Sequence, residues 1–226
     1  LLRSAVATAA HELRAPSTVL VGLAPTLIRR RTELAPERAD ELLDAIVRQA
    51  LVLDRLTRDL LSYAEVDRGE VSAYPERMDL VAAVRAAIVA VAHQADVFPS
   101  VPDALLVTAD PVRVQQMLSN LLSNALKYAA APFTVVVVQD GPNALVRVED
   151  SGAGVDVEFR ARLFEQYSRF DQTRSAGSGL GLYVVRALAQ AQGGTAWYEP
   201  RLHGGSSFCF TLPLALHDLR MPSRPV

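Results

Sequence analysis

Apolar residues in the first third of the chain return at alternating steps of three and four. Val6, Ala9, Leu13, Pro16, Leu20, Leu23 and Leu27 form one seam; Leu43, Ile46, Ala50, Leu53 and Leu60 form a second, widened by Leu42, Leu56 and Tyr63. Such heptad spacing belongs to helices with one packed face. The segment 32–37 separates the seams, with Pro36 suited to a first helical position and Glu37 to the positive helix end. Residues 1–68 hold one glycine, Gly22. The pattern predicts an antiparallel helical hairpin, each arm about 45 Å long for ~30 residues. Gly22 and Pro25 predict a bend in the first arm. One hairpin cannot cover both of its apolar stripes, so two should pair into a four-helix bundle.

After a polar joint over 69–77, the pattern becomes mixed. Helices are expected near 79–94, 111–129 and 180–192. Asp110 stands as the cap of the second, with Pro111 at its first position. Strands are expected near 104–108, 134–139, 144–149, 195–198 and 206–212, the last alternating Phe208, Phe210 and Leu212 on one face. Asp140, Gly141, Pro142 and Asn143 make a hairpin turn between two of these strands. Helices on a mixed sheet form a two-layer α/β sandwich, so the fold class is α+β: a helical hairpin, then a sandwich. The expected division is 1–68, a joint at 69–77, 78–213, and a tail at 214–226.

Composition narrows the function classes. The 226 residues are 50% hydrophobic and 21% charged, with a net charge of −2. Disordered and fibrous readings are excluded, and a protein built to grip nucleic acid is disfavoured. Lone Cys209 forbids an internal disulfide and fits a reducing, cytoplasmic setting. The longest unbroken apolar run, 86–92, is far too short to span a membrane. The chain reads as a soluble piece of a longer protein.

The only lysine, Lys127, lies seven residues after Asn120 and three after Asn124. With Tyr128 they share one face of the predicted helix. A carboxamide oxygen is a hard ligand suited to Mg²⁺, and an ammonium suits phosphate. A chance polar face is the plain alternative. Asp150, Gly152 and Gly154 directly follow a predicted strand, where glycines let backbone approach a flat ligand and a buried aspartate can accept from an exocyclic amine. Asp-x-Gly is also ordinary turn chemistry. Gly177, Gly179, Leu180 and Gly181 open a helix whose free amides could meet an anion. Neither a dinucleotide fingerprint nor the usual phosphate loop is present. His11, beside Glu12, falls on the face opposite the first seam, where an imidazole is free to act as a nucleophile. A solvated histidine is the plain alternative there.

Taken in order, these motifs resemble those of the sensor histidine kinases of bacterial two-component systems, over residues 4–213. The segment 11–16 resembles the family's phosphoacceptor box and 120–128 its asparagine box. Residues 150–154 and 177–181 resemble its two glycine boxes, and 163–170 its phenylalanine box. The resemblance implies an ATP pocket of the type shared with gyrase and MutL. Asp150 would then read the adenine amine, with Gly152 and Gly154 beside it. Asn124, with Asn120 close by, would hold Mg²⁺. Lys127 and Arg169 would meet the phosphates, Tyr128 would pack near the nucleotide, and 155–176 would be a lid. Gly177, Gly179, Leu180 and Gly181 would form its hinge and phosphate cradle. His11 would accept the γ-phosphoryl group with Glu12 as general base, and a response-regulator receiver domain would take it on. The implied assembly is a homodimer with a sensor domain upstream.

The chain departs from that family in one place that matters. Members that dephosphorylate their regulator carry Thr or Asn four residues after the histidine, and here Ala15 stands there. Ser17 and Thr18 are the nearest hydroxyls. The other readings are a regulator phosphatase, which Ala15 disfavours, a dimeric signalling scaffold with weak kinase output, which the intact nucleotide motifs disfavour, and a gyrase-like ATPase, which the hairpin bearing His11 disfavours. His93, His203 and His217 match no motif.

Overall fold

The computed structural model describes residues 2–30, 33–91, 96–166, 168, 179–202 and 204–215; the side chains of 2–12 and 55 fall outside the description. The chain divides into two compact units, Leu1–Glu70 with Glu165–Val184, and Val71–Phe164 with Val185–Val226.

In the first unit, α1 (Leu2–Arg30) and α2 (Pro36–Asp67) pack on one another as a hairpin. Pro36 opens α2 and Glu37 lies in its first turn, as their chemistry predicts. α1 stays helical through Pro16 and Pro25. Its seam residues Leu13, Pro16, Leu20, Leu23 and Leu27 are all at least partly covered. The expected seam of α2 is covered in part, with Ile46, Leu53 and Leu60 half-buried. Leu43 is 47% exposed and Ala50 is exposed, whereas Leu56 and Tyr63 are buried and Leu42 half-buried. The residues that widened the seam are at least as well covered, Tyr63 against Leu180 and Tyr183, and a second stripe, with Val47 and Leu51, faces out.

The second unit is a two-layer sandwich. Its five-stranded sheet has the order β2-β4-β5-β7-β6, formed by β2 (Val97–Ser100), β4 (Phe133–Asp140), β5 (Asn143–Glu149), β6 (Ala196–Pro200) and β7 (Ser206–Pro213). β2 runs parallel to β4, and the other pairs are antiparallel. A separate ribbon pairs β1 (Glu76–Asp79) with β3 (Leu106–Ala109). α3 (Leu80–Val91) and α4 (Pro111–Tyr128) pack together, and α4 lies on β5. α5 is Val157–Arg160 and α6 is Gly181–Ala191.

The core sits between the helices and one sheet face. Leu80, Val84, Met117, Leu118 and Leu121 meet the face of Val135, Val137, Val146, Val148, Phe208, Phe210 and Leu212, all 5% exposed or less. Alternation places every second residue of β7 there and leaves Cys209 on the opposite face, as its position in the sequence predicts. Three short elements were not foreseen: β1, which overlaps the stretch read as a polar joint, β2 and α5.

Candidate functional site

The site is built where the C-terminal end of α4 meets the turn after β5. α4 starts from a firm cap: Asp110 Oδ1 accepts from the amides of Val112 at 2.9 Å and Arg113 at 3.2 Å, with Pro111 next. Starting there, α4 carries Asn120, buried, then Asn124, half-buried, and the exposed Lys127 and Tyr128 near its end. The predicted polar face is therefore graded from core to solvent. Leu118, Leu121 and Leu122 fill the buried side and fix its orientation.

The turn after β5 is sewn to the chain leaving α4. Ser151 N donates to Ala130 O at 3.1 Å, and Ser151 Oγ to Pro132 O at 3.3 Å. A side chain at position 152 would crowd this approach, because a Cβ there would stand 3.1 Å from Asp150 Oδ1 and 3.3 Å from Ala129 Cα.

Asp150 is only 2% exposed. One carboxylate oxygen, Oδ1, accepts from Gly152 N at 2.8 Å and Ser206 N at 3.2 Å. Among the described residues no hydrogen bond reaches Oδ2. A buried carboxylate held by two amides, with one oxygen spare, is an acceptor fixed in direction. It suits a ligand amine.

Gly154, at φ +77, needs the freedom of glycine, and a Cβ would lie 3.3 Å from Gly205 O. The next residues are tied to β6. Val155 N donates to Tyr198 Oη at 3.3 Å, Arg160 Nε donates to Val155 O at 2.9 Å, and the Arg160 guanidinium lies over the Tyr198 ring. The stretch expected as a lid thus begins as a fixed turn carrying α5.

The remaining expected site residues divide. Gly179, at φ +65, the buried Leu180, and Gly181, which opens α6, belong to the unit that contains the hairpin. There Leu180 packs with Tyr63, Leu60 and Tyr183, and the rings of Tyr63 and Tyr183 stand 6.1 Å apart. His11 and Glu12 lie in α1, but their side chains are outside the described residues. Arg169 and Gly177, with His93, His203 and His217, are outside them too. Ala15 is exposed. The two hydroxyls near it are engaged by their own helix, Ser17 Oγ donating to Leu13 O at 2.7 Å and Thr18 Oγ1 to Arg14 O at 2.8 Å.

Reading the sequence missed Ser206, Gly205 and Arg201, all of which touch Asp150. The one local signal was the pair Gly204 and Gly205 just before β7. Among the described residues no group of three or more His, Cys, Asp or Glu is placed to hold a metal, and no helix is long and apolar enough to cross a membrane.

Two family models match. Residues 1–69 match the His Kinase A (phospho-acceptor) domain, and 109–216 the histidine kinase-, DNA gyrase B-, and HSP90-like ATPase. Sensor histidine kinase YkoH of Bacillus subtilis is 32% identical over 83% of this chain and 42% of its own length. Sensor protein RstB of Escherichia coli is 32% identical over 91% of this chain and 47% of its own. The chain thus spans less than half of these two curated relatives. Among solved structures, the Acinetobacter baumannii histidine kinase AdeS is similar at 27% identity and a TM-score of 0.65, covering 90% of this chain and 98% of that one.

Proposed function

Because the chain belongs to the histidine kinases of two-component signalling, we propose that it phosphorylates itself on His11 from ATP and passes the phosphoryl group to an aspartate of a response-regulator receiver domain. The observation that carries this reading is the buried Asp150 carboxylate, held by two backbone amides with Oδ2 left over. That oxygen accepts the adenine amine. Asn120, Asn124, Lys127 and Tyr128, on one face of α4, are then disposed toward the rest of the nucleotide, with Lys127 as the cation for phosphate. The polar face of α4, with its two carboxamides, fits Mg²⁺ held by Asn124 with Asn120 near it, and bound Mg²⁺ supplies charge neutralisation at the phosphates.

In the chemical step a ring nitrogen of His11 attacks the γ-phosphorus. The P–N bond forms as the bond to the β–γ bridging oxygen breaks, ADP leaves, and Glu12 takes the ring proton. Arg169, Gly177, Gly179, Leu180 and Gly181 are the residues proposed for closing over the phosphates. The exposed apolar stripe of α2 supports a homodimer through the hairpin. Ala15, with Ser17 and Thr18 bonded to their own helix, supports a kinase with weak phosphatase output.

The test is incubation of the 226-residue chain with γ-labelled ATP and Mg²⁺. An acid-labile, base-stable label that disappears in His11→Ala is expected. Equal labelling of His11→Ala would sink the assignment.

A further inference from the structure

The hairpin joining β6 and β7 reaches back to one peptide group, the bond between Asp150 and Ser151. Its carbonyl oxygen accepts from Arg201 Nη1 at 2.8 Å, and its N–H, on Ser151, donates to Ala130 O at 3.1 Å. The peptide is therefore clamped across its plane, by the hairpin on one side and by the chain leaving α4 on the other. Arg201 is itself aimed. Its Nη2 lies 3.4 Å from a carboxylate oxygen of Glu149, and its backbone N donates to Gly205 O at 3.3 Å, closing the hairpin turn. Gly205, at φ +96, approaches the same oxygen so closely that a Cβ there would stand 2.1 Å from Asp150 O. Two features of the hairpin converge on one carbonyl.

That carbonyl governs the direction of the carboxylate. Gly152 N, which fixes Oδ1, comes one peptide later in the chain. Rotation of the 150–151 peptide displaces Gly152 N and leaves Oδ1 to the longer bond from Ser206 N alone, so Oδ2 is less firmly aimed. The geometry points to Arg201 as a positioning residue for base recognition: it touches no ligand and holds the peptide that aims Asp150 at the adenine amine. This rests on the reading of Asp150 given above. Arg201 also lines an open cavity of about 530 Å³ and its side chain is 36% exposed, so water competes for its bonds and the effect is moderate.

The experiment is displacement of a fluorescent ADP analogue from the full chain by ATP and by GTP, for the parent, Arg201→Ala, Arg201→Lys and Asp150→Asn. Guanine presents an acceptor oxygen where adenine presents an amine, so an aimed carboxylate favours ATP. Arg201→Ala is expected to weaken ATP by ~3- to 10-fold, as for loss of one charge-assisted bond shared with water, and to narrow the preference for ATP over GTP. Arg201→Lys, which keeps one donor for the carbonyl, should recover part of both, and it serves where the alanine variant folds poorly. Asp150→Asn should lose ATP affinity and preference more fully. Equal weakening of ATP and GTP by Arg201→Ala makes the residue merely structural and overturns the inference. Normal discrimination by Arg201→Ala, with Asp150→Asn impaired, also overturns it and leaves the adenine reading standing. Normal behaviour of Asp150→Asn removes that reading and the inference with it.

Discussion

Gln192 and Asp110, 82 residues apart in the chain, are joined by a buried bond in which the backbone N–H of Asp110 donates to Gln192 Oε1 at 2.7 Å. Gln192 uses its other end on its own segment, Nε2 donating to Leu188 O at 3.0 Å. Asp110 meanwhile caps α4 through Oδ1 and takes Tyr74 N on Oδ2 at 3.0 Å. One residue thus sets the start of the helix that carries Asn120, Asn124 and Lys127, and a glutamine just beyond α6 holds that residue in place. Gln192→Leu leaves the Asp110 amide buried without a partner, which costs about 1–3 kcal/mol. Denaturant unfolding should show a loss of that size, and an unchanged midpoint would contradict it.

The outward stripe of α2 is the proposed dimer surface. Val47 and Leu51 are 55% and 63% exposed in the single chain and one helical turn apart. Glutamates at both positions would bury charge in a bundle core, a large penalty, while costing the isolated hairpin little. Sedimentation is expected to find the parent dimeric and the Val47→Glu, Leu51→Glu double variant monomeric. A double variant that stays dimeric would place the interface elsewhere.

Dephosphorylation of a regulator needs a water aligned with its phosphoaspartate. The Ala15 side chain offers nothing to hold one, and the hydroxyl protons of Ser17 and Thr18 are donated to Leu13 O and Arg14 O. Slow decay of purified phospho-regulator is expected with this chain in the absence of ATP. Ala15→Thr should speed it by roughly tenfold or more, since orienting groups of this kind contribute up to ~10²–10⁴ where they handle a proton. Fast decay that Ala15→Thr leaves unchanged would move the phosphatase reading ahead of the kinase.

Burial pushes the Cys209 thiol above its ordinary value of 9.0, opposed in part by the hydrogen bond with Ser207. The unfolded chain therefore gives up this proton at lower pH than the folded one. The stability it contributes is complete below about pH 9 and is lost as pH rises beyond that. Denaturant unfolding near pH 8 and near pH 10 should show a steeper loss for the parent than for Cys209→Ala. Equal losses would mean the thiol is not held neutral by the fold.

Where spacing encodes burial, the sequence foretells the fold. The seam of α1, the cap at Asp110 and the alternation of β7 each follow from one rule about which side faces a neighbour. The exposure of Leu43 and Ala50 on α2 escapes such reasoning because two apolar stripes lie side by side on that helix. Spacing alone does not say which of them is covered within one chain. β1 and β2 escape it because each has only four residues, none of them fully buried, and β2 contains Pro99. At the site, Asp150 and Gly152 were legible because their chemistry is local. Arg201 and Ser206 were not, since they meet Asp150 only after a hairpin has folded back more than fifty residues along the chain.

The order β2-β4-β5-β7-β6 leaves β2 and β6 as the two rims of the sheet, and each contains a proline. Asp96 O, just before β2, accepts from Phe133 N, so alternate residues of β2 turn toward β4 and Pro99 turns outward. On β6, Arg201 N and Thr195 O bond toward β7, which turns Pro200 outward by the same parity. Both prolines withhold an N–H on the side where an added strand would need one. A strand of another copy laid along either rim would therefore forgo one ladder bond, so the margins of the sheet carry a built-in cost against being extended.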